Sequence, residues 1–287
     1  MDTFPAAPAV FLGHGSPMNA LETNRYSATW QALGQSVPRP RAILMISAHW
    51  YVNATAVTAM ERPRTIHDFY GFPQALFDVQ YPAPGLPQLV EEIAEAVKPE
   101  AIGADHDSWG LDHGTSSVLR HVYPAADVPV VQLSINALRS PDYHVEMGAR
   151  LAALRERGVM LMGSGNVVHN LRAMARNQPD AAFDWAQRFD EAARDVMVTR
   201  PAEVARLIDH PDYRMAAPTP EHFLPLLYVA GAAAASGVAP SVLVDGYAYG
   251  SLSMTAYGVG VPCPPEVDGL GGAGPLGTEL PADASNV

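Results

Sequence analysis

Apolar residues in this chain come in short unbroken runs rather than in alternation, and that constrains the fold more than any other feature. Ala9–Leu12, Ala42–Ile46, Pro129–Leu133, Gly158–Met162 and Ser241–Val244 each read as a strand. A strand with one wet face would carry a polar residue at every second position; a continuous run implies cover on both faces. A last strand is expected within Ser251–Val259. Helical patterns fill the gaps. Ser140-Pro141-Asp142 is a cap with proline at the first helical position, followed by Val145, Leu151 and Leu154 on one side. Phe183, Ala186, Phe189, Ala193, Val196 and Met197 recur at helical spacing, Leu86–Val97 forms a third helix, and Arg200-Pro201 opens a fourth. Strands alternating with helices predict the α/β class: a single domain with a central, mostly parallel or mixed sheet flanked by helices. No linker divides residues 1–261. Residues 262–287 are Gly/Pro-rich and are expected to form a flexible tail.

Charge narrows the partners. The 287 residues carry a net charge of −12 without any Lys/Arg cluster, which argues against nucleic acid and anionic membranes. The N-terminus lacks a basic stretch followed by an apolar one, and Leu224–Ala235 is too short to cross a bilayer and contains Pro225. A cytoplasmic protein is expected. Cys263 is the single cysteine, so no internal disulfide is expected.

The histidines fall where strands end. The first run leads into Gly13-His14-Gly15-Ser16-Pro17, the second into Ser47-Ala48-His49-Trp50, and the fourth into Gly163-Ser164-Gly165-Asn166 and then His169. Ligands in open α/β sheets bind outside the carboxyl ends of strands, so a site is expected there. His222, in Thr219-Pro220-Glu221-His222, reads as part of a cap and first helical turn. The positive helix end would keep its ring neutral, the form that binds metals. His113 sits in a Gly-bounded turn, Gly110-Leu111-Asp112-His113-Gly114. Imidazoles suit Zn, Fe, Cu and Ni, and three of them leave coordination positions open. A lone strand-end histidine is ordinarily a hydrogen-bonded turn residue; the pairing of His14 with His49 after two apolar runs is what argues for more. His67, His106, His121, His144 and His210 read as structural, with His144 on a helix surface. The aromatic stretch between Glu61 and Gly85 reads as an anchored functional loop. No HExxH or CxxC is present, Gly163-Ser164-Gly165-Asn166 is not a GxGxxG fingerprint because position 168 is Val, and neither Ser16 nor Ser164 sits in GxSxG.

The segments FLGHGSPMNAL, ISAHWY, HDFYGFP, YPAPG, GLDHGTSSVL, GSGNVVHNL, PTPEHFLPLLYVAGA and YGSLSMTAYGVG, in order from Phe11 to Gly260, resemble the DODA-type extradiol aromatic ring-opening dioxygenases of class III. The resemblance implies a catalytic domain over 1–261 with a non-haem metal ion held by His14, His49 and His222. It makes His169 the acid/base residue and an additional candidate ligand, and His113 a second pocket residue for proton transfer. It implies Fe(II) for activity, a catechol such as dihydroxyphenylalanine (DOPA) and O2 as small-molecule partners, and a ring-opened semialdehyde product. Phe69–Phe72 and Tyr249–Tyr257 become expected pocket walls. Many extradiol enzymes use two His and one carboxylate, whereas this chain presents His222 with Glu221 beside it. Three His are also a catalytic zinc set. A zinc-dependent hydrolase, or a non-catalytic binding protein on the same fold, therefore stands as the alternative.

Overall fold

A computed structural model describes residues 6–262 and 269–274. Cys263 and most of the segment 262–287 lie outside the described residues. The strands are β1 (Ala9–Gly13), β2 (Ala42–Val52), β3 (Ala56–Thr58), β4 (Gly103–Asp105), β5 (Val130–Asn136), β6 (Val159–Gly165), β7 (Ser241–Val244), β8 (Tyr247–Ala248), β9 (Leu252–Ser253) and β10 (Ala256–Val259). The helices are α1 (Arg25–Ser36), α2 (Gln74–Phe77), α3 (Leu89–Ala96), α4 (His113–Val122), α5 (Pro141–Leu151), α6 (Asp184–Thr199), α7 (Tyr213–Ala216) and α8 (Leu224–Ser236).

Eight strands form one sheet in the order β4-β3-β5-β2-β6-β1-β10-β7. The middle of it, β5-β2-β6-β1, is parallel, while β10 and β7 extend it antiparallel. The unbroken apolar runs are explained by what lies on each face. Ala9, Phe11, Leu44 and Ile46 point into a core shared with α3, α5, α6 and α8. Val10, Leu12, Ile43 and Met45 point into the opposite core, shared with α1 and α4. Alternate residues therefore face different helices, and both sets are buried.

Three expectations are corrected. The segment after Arg200-Pro201 is a 3-10 helix, Pro201–Asp209, rather than an α-helix. The expected last strand is two pieces, β9 and β10, interrupted at Met254 and Thr255. His144 is buried inside the α5–α8 contact, not on a surface, and its Nδ1 lies 2.9 Å from the Tyr228 hydroxyl. The helix is covered by α8 on one side and α3 on another, so its buried arc is wider than one stripe.

That burial gives a pH prediction. Desolvation pushes His144 down to about 4, below its ordinary value near 6.5. The unfolded chain binds a proton there that the folded chain refuses, so stability present above pH 6.5 is lost as the pH falls toward 4. The expected loss between pH 7 and pH 5 is about 2 kcal/mol from this residue. Urea titrations at the two pH values should show a smaller difference in His144→Gln than in wild type; an equal difference would refute it.

The described part of the C-terminal segment lies against α1 and its neighbours. Gly271 O accepts from Arg25 N at 3.0 Å, and Gly274 O accepts from the Tyr249 hydroxyl at 2.6 Å. Among the described residues no helix is long and apolar enough to cross a membrane.

Candidate metal centre

The carboxyl ends of β1, β2 and β6 converge with the start of α4 and the turn before α8. His14 follows β1 directly. Gly15 after it adopts φ +59°, with the Met254 side chain where a Cβ would stand. His49 is not past the end of its strand but inside β2. There the register slips: Ile46 pairs with Leu133, yet Tyr51 pairs with Ile135, so five steps on β2 match two on β5. The surplus residues bow out of the ladder, and His49 rides on that bow. Pairing of β2 with β6 has already stopped at Ser47. His113 is the first residue of α4 rather than part of a turn, with the Asp112 carboxylate capping Thr115 N at 3.0 Å. His222 stands just before α8, whose second position is Pro225. Its carbonyl accepts from Asn166 N at 2.9 Å. Gly165 permits this approach, because a Cβ there would come within 2.2 Å of the same oxygen. His169 lies beyond β6 and bridges to Leu252.

All five sequence-predicted histidines meet in one buried cluster. Ring centroids lie 5.1 Å apart for His14 and His49, 5.3 Å for His14 and His222, and 5.1 Å for His49 and His222. His113 stands 3.9 Å from His49 and 5.7 Å from His14. His169 stacks on His222 at 3.4 Å and 6°. By potential ligand atoms, His14, His49 and His113 form one compact group within 4.8 Å, and His169, the Glu221 carboxylate and His222 form another.

The outer hydrogen bonds set which nitrogen faces inward. The Ser164 hydroxyl donates to Gly114 O, so it accepts from His14 Nδ1, 2.9 Å away. Asp68 holds His49 Nδ1 at 3.1 Å and His113 Nδ1 at 2.9 Å. Glu221 lies 3.2 Å from His222 Nδ1. With hydrogens on the Nδ1 atoms, each Nε2 presents a lone pair. His14 Nε2 and His49 Nε2 then face each other at 3.3 Å with no proton between them. His222 Nε2 and His113 Nε2 are buried without a hydrogen-bond partner among the described residues. Converging, unprotonated imidazole nitrogens are what a divalent ion requires.

Electrostatics agree for His14, His222 and His113 and run the other way for His49. Burial, then the neighbouring imidazoles, hold His14 and His222 well below the ordinary histidine value. Burial and His49 lower His113, against the pull of Asp68. Burial alone would lower His49 too, but its hydrogen bond to Asp68 raises it. Burial would raise Asp68, yet His113 and His49 keep it below the usual carboxylate range.

The family described as the catalytic LigB subunit of aromatic ring-opening dioxygenase matches residues 9–260. The chain belongs to the LigB family. It is an oxidoreductase of the extradiol ring-cleaving dioxygenase type. A LigB relative from Escherichia coli (strain K12), named 4,5-DOPA dioxygenase extradiol, is 49% identical over 88% of this chain and 94% of its own. A protein of the same name from Beta vulgaris is 33% identical over 86% of this chain and 96% of its own. A crystal structure of an uncharacterized protein from Escherichia coli K12 superposes with a TM-score of 0.78 at 43% identity, covering 88% of this chain and all of that one. LigB dioxygenases use a metal, and this LigB chain has the histidines to bind one.

Sequence reasoning missed the carboxylate and hydroxyl that orient the LigB rings, Asp68 and Ser164. Asp68 was within the quoted segment HDFYGFP but has no periodic partner to mark it. Of the expected walls, Phe69 meets His113 edge-on at 5.7 Å. Tyr249 and Tyr257 turn into the two cores instead, and Met254 between them reaches the site beside Gly13 and Gly15.

Proposed function

We propose that this protein opens a catechol ring beside its diol with O2, at a non-haem Fe(II) held by His14, His49 and His222. The observation that carries this is the near-equilateral triangle of those three rings. The three separations are 5.1, 5.3 and 5.1 Å, so the rings surround one position about equally. His113 departs from that symmetry, 3.9 Å from His49 but 5.7 Å from His14. His113 would therefore be a pocket residue beside the ion.

A bound Fe(II) would acidify the chelated diol and carry electron density from ring to oxygen. The protein's residues do the rest. His113 Nε2, buried and without a hydrogen-bond partner among the described residues, would accept a proton from a catechol hydroxyl. His169, stacked on His222, would hold and deliver a proton beside the ion, as acid/base residue rather than as a fourth ligand. Phe69, with Phe72 and Leu76 behind it, walls off water beside His113. The catalytic unit is residues 1–261. A cytoplasmic setting, with small-molecule partners and neither nucleic acid nor membrane, fits the acidic charge. Zn(II) suits the same nitrogens but has no redox chemistry, so a zinc-loaded protein would be inactive.

The relatives' names make DOPA the first catechol to try. Protein reconstituted anaerobically with Fe(II) is expected to consume O2 with one or more members of a catechol panel and to form a yellow ring-opened product. Protein that holds Fe(II) yet takes up no O2 with any catechol would defeat the proposal.

A further inference from the structure

Asp68 is a carboxylate that touches two of the clustered rings. It lies in the irregular stretch before α2, with its side chain only 17% exposed. Its Oδ1 accepts from the backbone N of His113 at 2.9 Å and from His113 Nδ1 at 2.9 Å. Its Oδ2 faces His49 Nδ1 at 3.1 Å. Both oxygens are thus committed, one to each ring, and both rings carry their hydrogen on the Nδ1 side. An imidazole without such an acceptor can turn over and present carbon or N–H to the ion. Here one rigid group forbids that for two rings at once.

We propose that Asp68 is a positioning residue that fixes the metal-facing nitrogen of His49 and the substrate-facing nitrogen of His113 together. The inference rests on the metal-centre reading above. The coupling is geometric: the two rings are 3.9 Å apart and tilted by 54°, and the carboxylate sets that separation from behind. His113 is kept beside the ion rather than on it because its Nδ1 and its backbone N–H share one oxygen, which pins the ring to the start of α4. A simpler role is a loop anchor at the first turn of α4 and nothing more. The two roles differ in what they do to metal affinity.

The test uses Co(II) alone, measured by competition with a chelator, and 4-nitrocatechol bound to protein saturated with Co(II). The variants are Asp68→Asn, His113→Phe and their combination. Asp68→Asn keeps the shape but replaces one acceptor by an NH2 group, so one ring must lose its hydrogen bond. It is expected to weaken Co(II) binding by about 10–100-fold, as loss of an outer carboxylate partner does. His113→Phe is expected to weaken Co(II) binding less than about threefold, and to weaken 4-nitrocatechol. The double variant should bind 4-nitrocatechol no worse than the weaker single variant, because both changes remove the same acceptor. A folded Asp68→Asn protein with wild-type Co(II) affinity overturns the proposal, including when its thermal midpoint has dropped. So do additive losses of 4-nitrocatechol binding. Should Asp68→Asn not fold, Asp68→Glu is read the same way, with a loss of Co(II) affinity expected and no loss overturning the proposal. Wild-type protein that takes up no Co(II) would instead remove the metal centre itself, an outcome the variants cannot imitate.

Discussion

His222→Ala is expected to fold, to lose its ion, and to open catechol rings at least about 1,000-fold more slowly than wild type. The fold should survive because the backbone at this position is held independently of the ring: His222 O still accepts from Asn166 N, and α8 still begins at Leu224. Deleting the ring also relieves a crowded set of buried imidazoles, each of which lowers its neighbours' affinity for protons. The ion is another matter. Two neutral imidazoles in place of three lose one strong bond, and the remaining pair, His14 and His49, no longer encloses a defined position. Metal analysis after Fe(II) reconstitution, circular dichroism and oxygen uptake together check the statement. Full metal content with undiminished uptake would mean that His222 is a bystander and that the triangle of rings has another cause.

His169→Phe separates the two roles open to that residue. Phenylalanine keeps the flat face against His222, where the rings now lie 3.4 Å apart, but removes both nitrogens. If His169 is the acid/base group, metal content and catechol binding stay near wild type while kcat falls by about 100- to 10,000-fold. If it is instead a ligand, metal affinity falls with it. We expect the first. Single-turnover oxygen consumption, run beside a metal titration, distinguishes them.

How much of this was legible beforehand depended on whether a residue announces itself by its neighbours in sequence. His14 did, because an apolar run that buries both faces stops at Gly13 and the next side chain has to leave the sheet. His49 did only in part. Its run reads as ending at Ile46, yet the strand continues to Val52, and the register slip that aims the ring cannot be read from one strand without its partner. The helix beginning at His113 was missed because Gly114, Thr115, Ser116 and Ser117 are poor helix formers. The signal that was available is Asp112, a good cap three residues before Thr115. The helix α1 carried a comparable signal in Asn24 and Ser27, which form a reciprocal capping pair. Asp68 lay in a segment that carried the resemblance, HDFYGFP, but nothing in the sequence marked its own role. Its role exists only because a loop without periodicity is folded under two rings from distant parts of the chain. His144 was placed on the wrong side because a single apolar stripe was assumed for a helix that packs against two others.

The bow in β2 has a consequence for how this centre can change over generations. Side chains around it are replaceable one at a time, since strand packing tolerates exchange of like for like. Spacing is less forgiving. Shortening Ser47–Trp50 by a residue would draw the slack tight and rejoin β2 to its neighbour one step out of phase, turning the imidazole toward a helix-covered layer. The segment thus behaves as a measured length of rope: its knots can be retied with other fibres, but it cannot be cut.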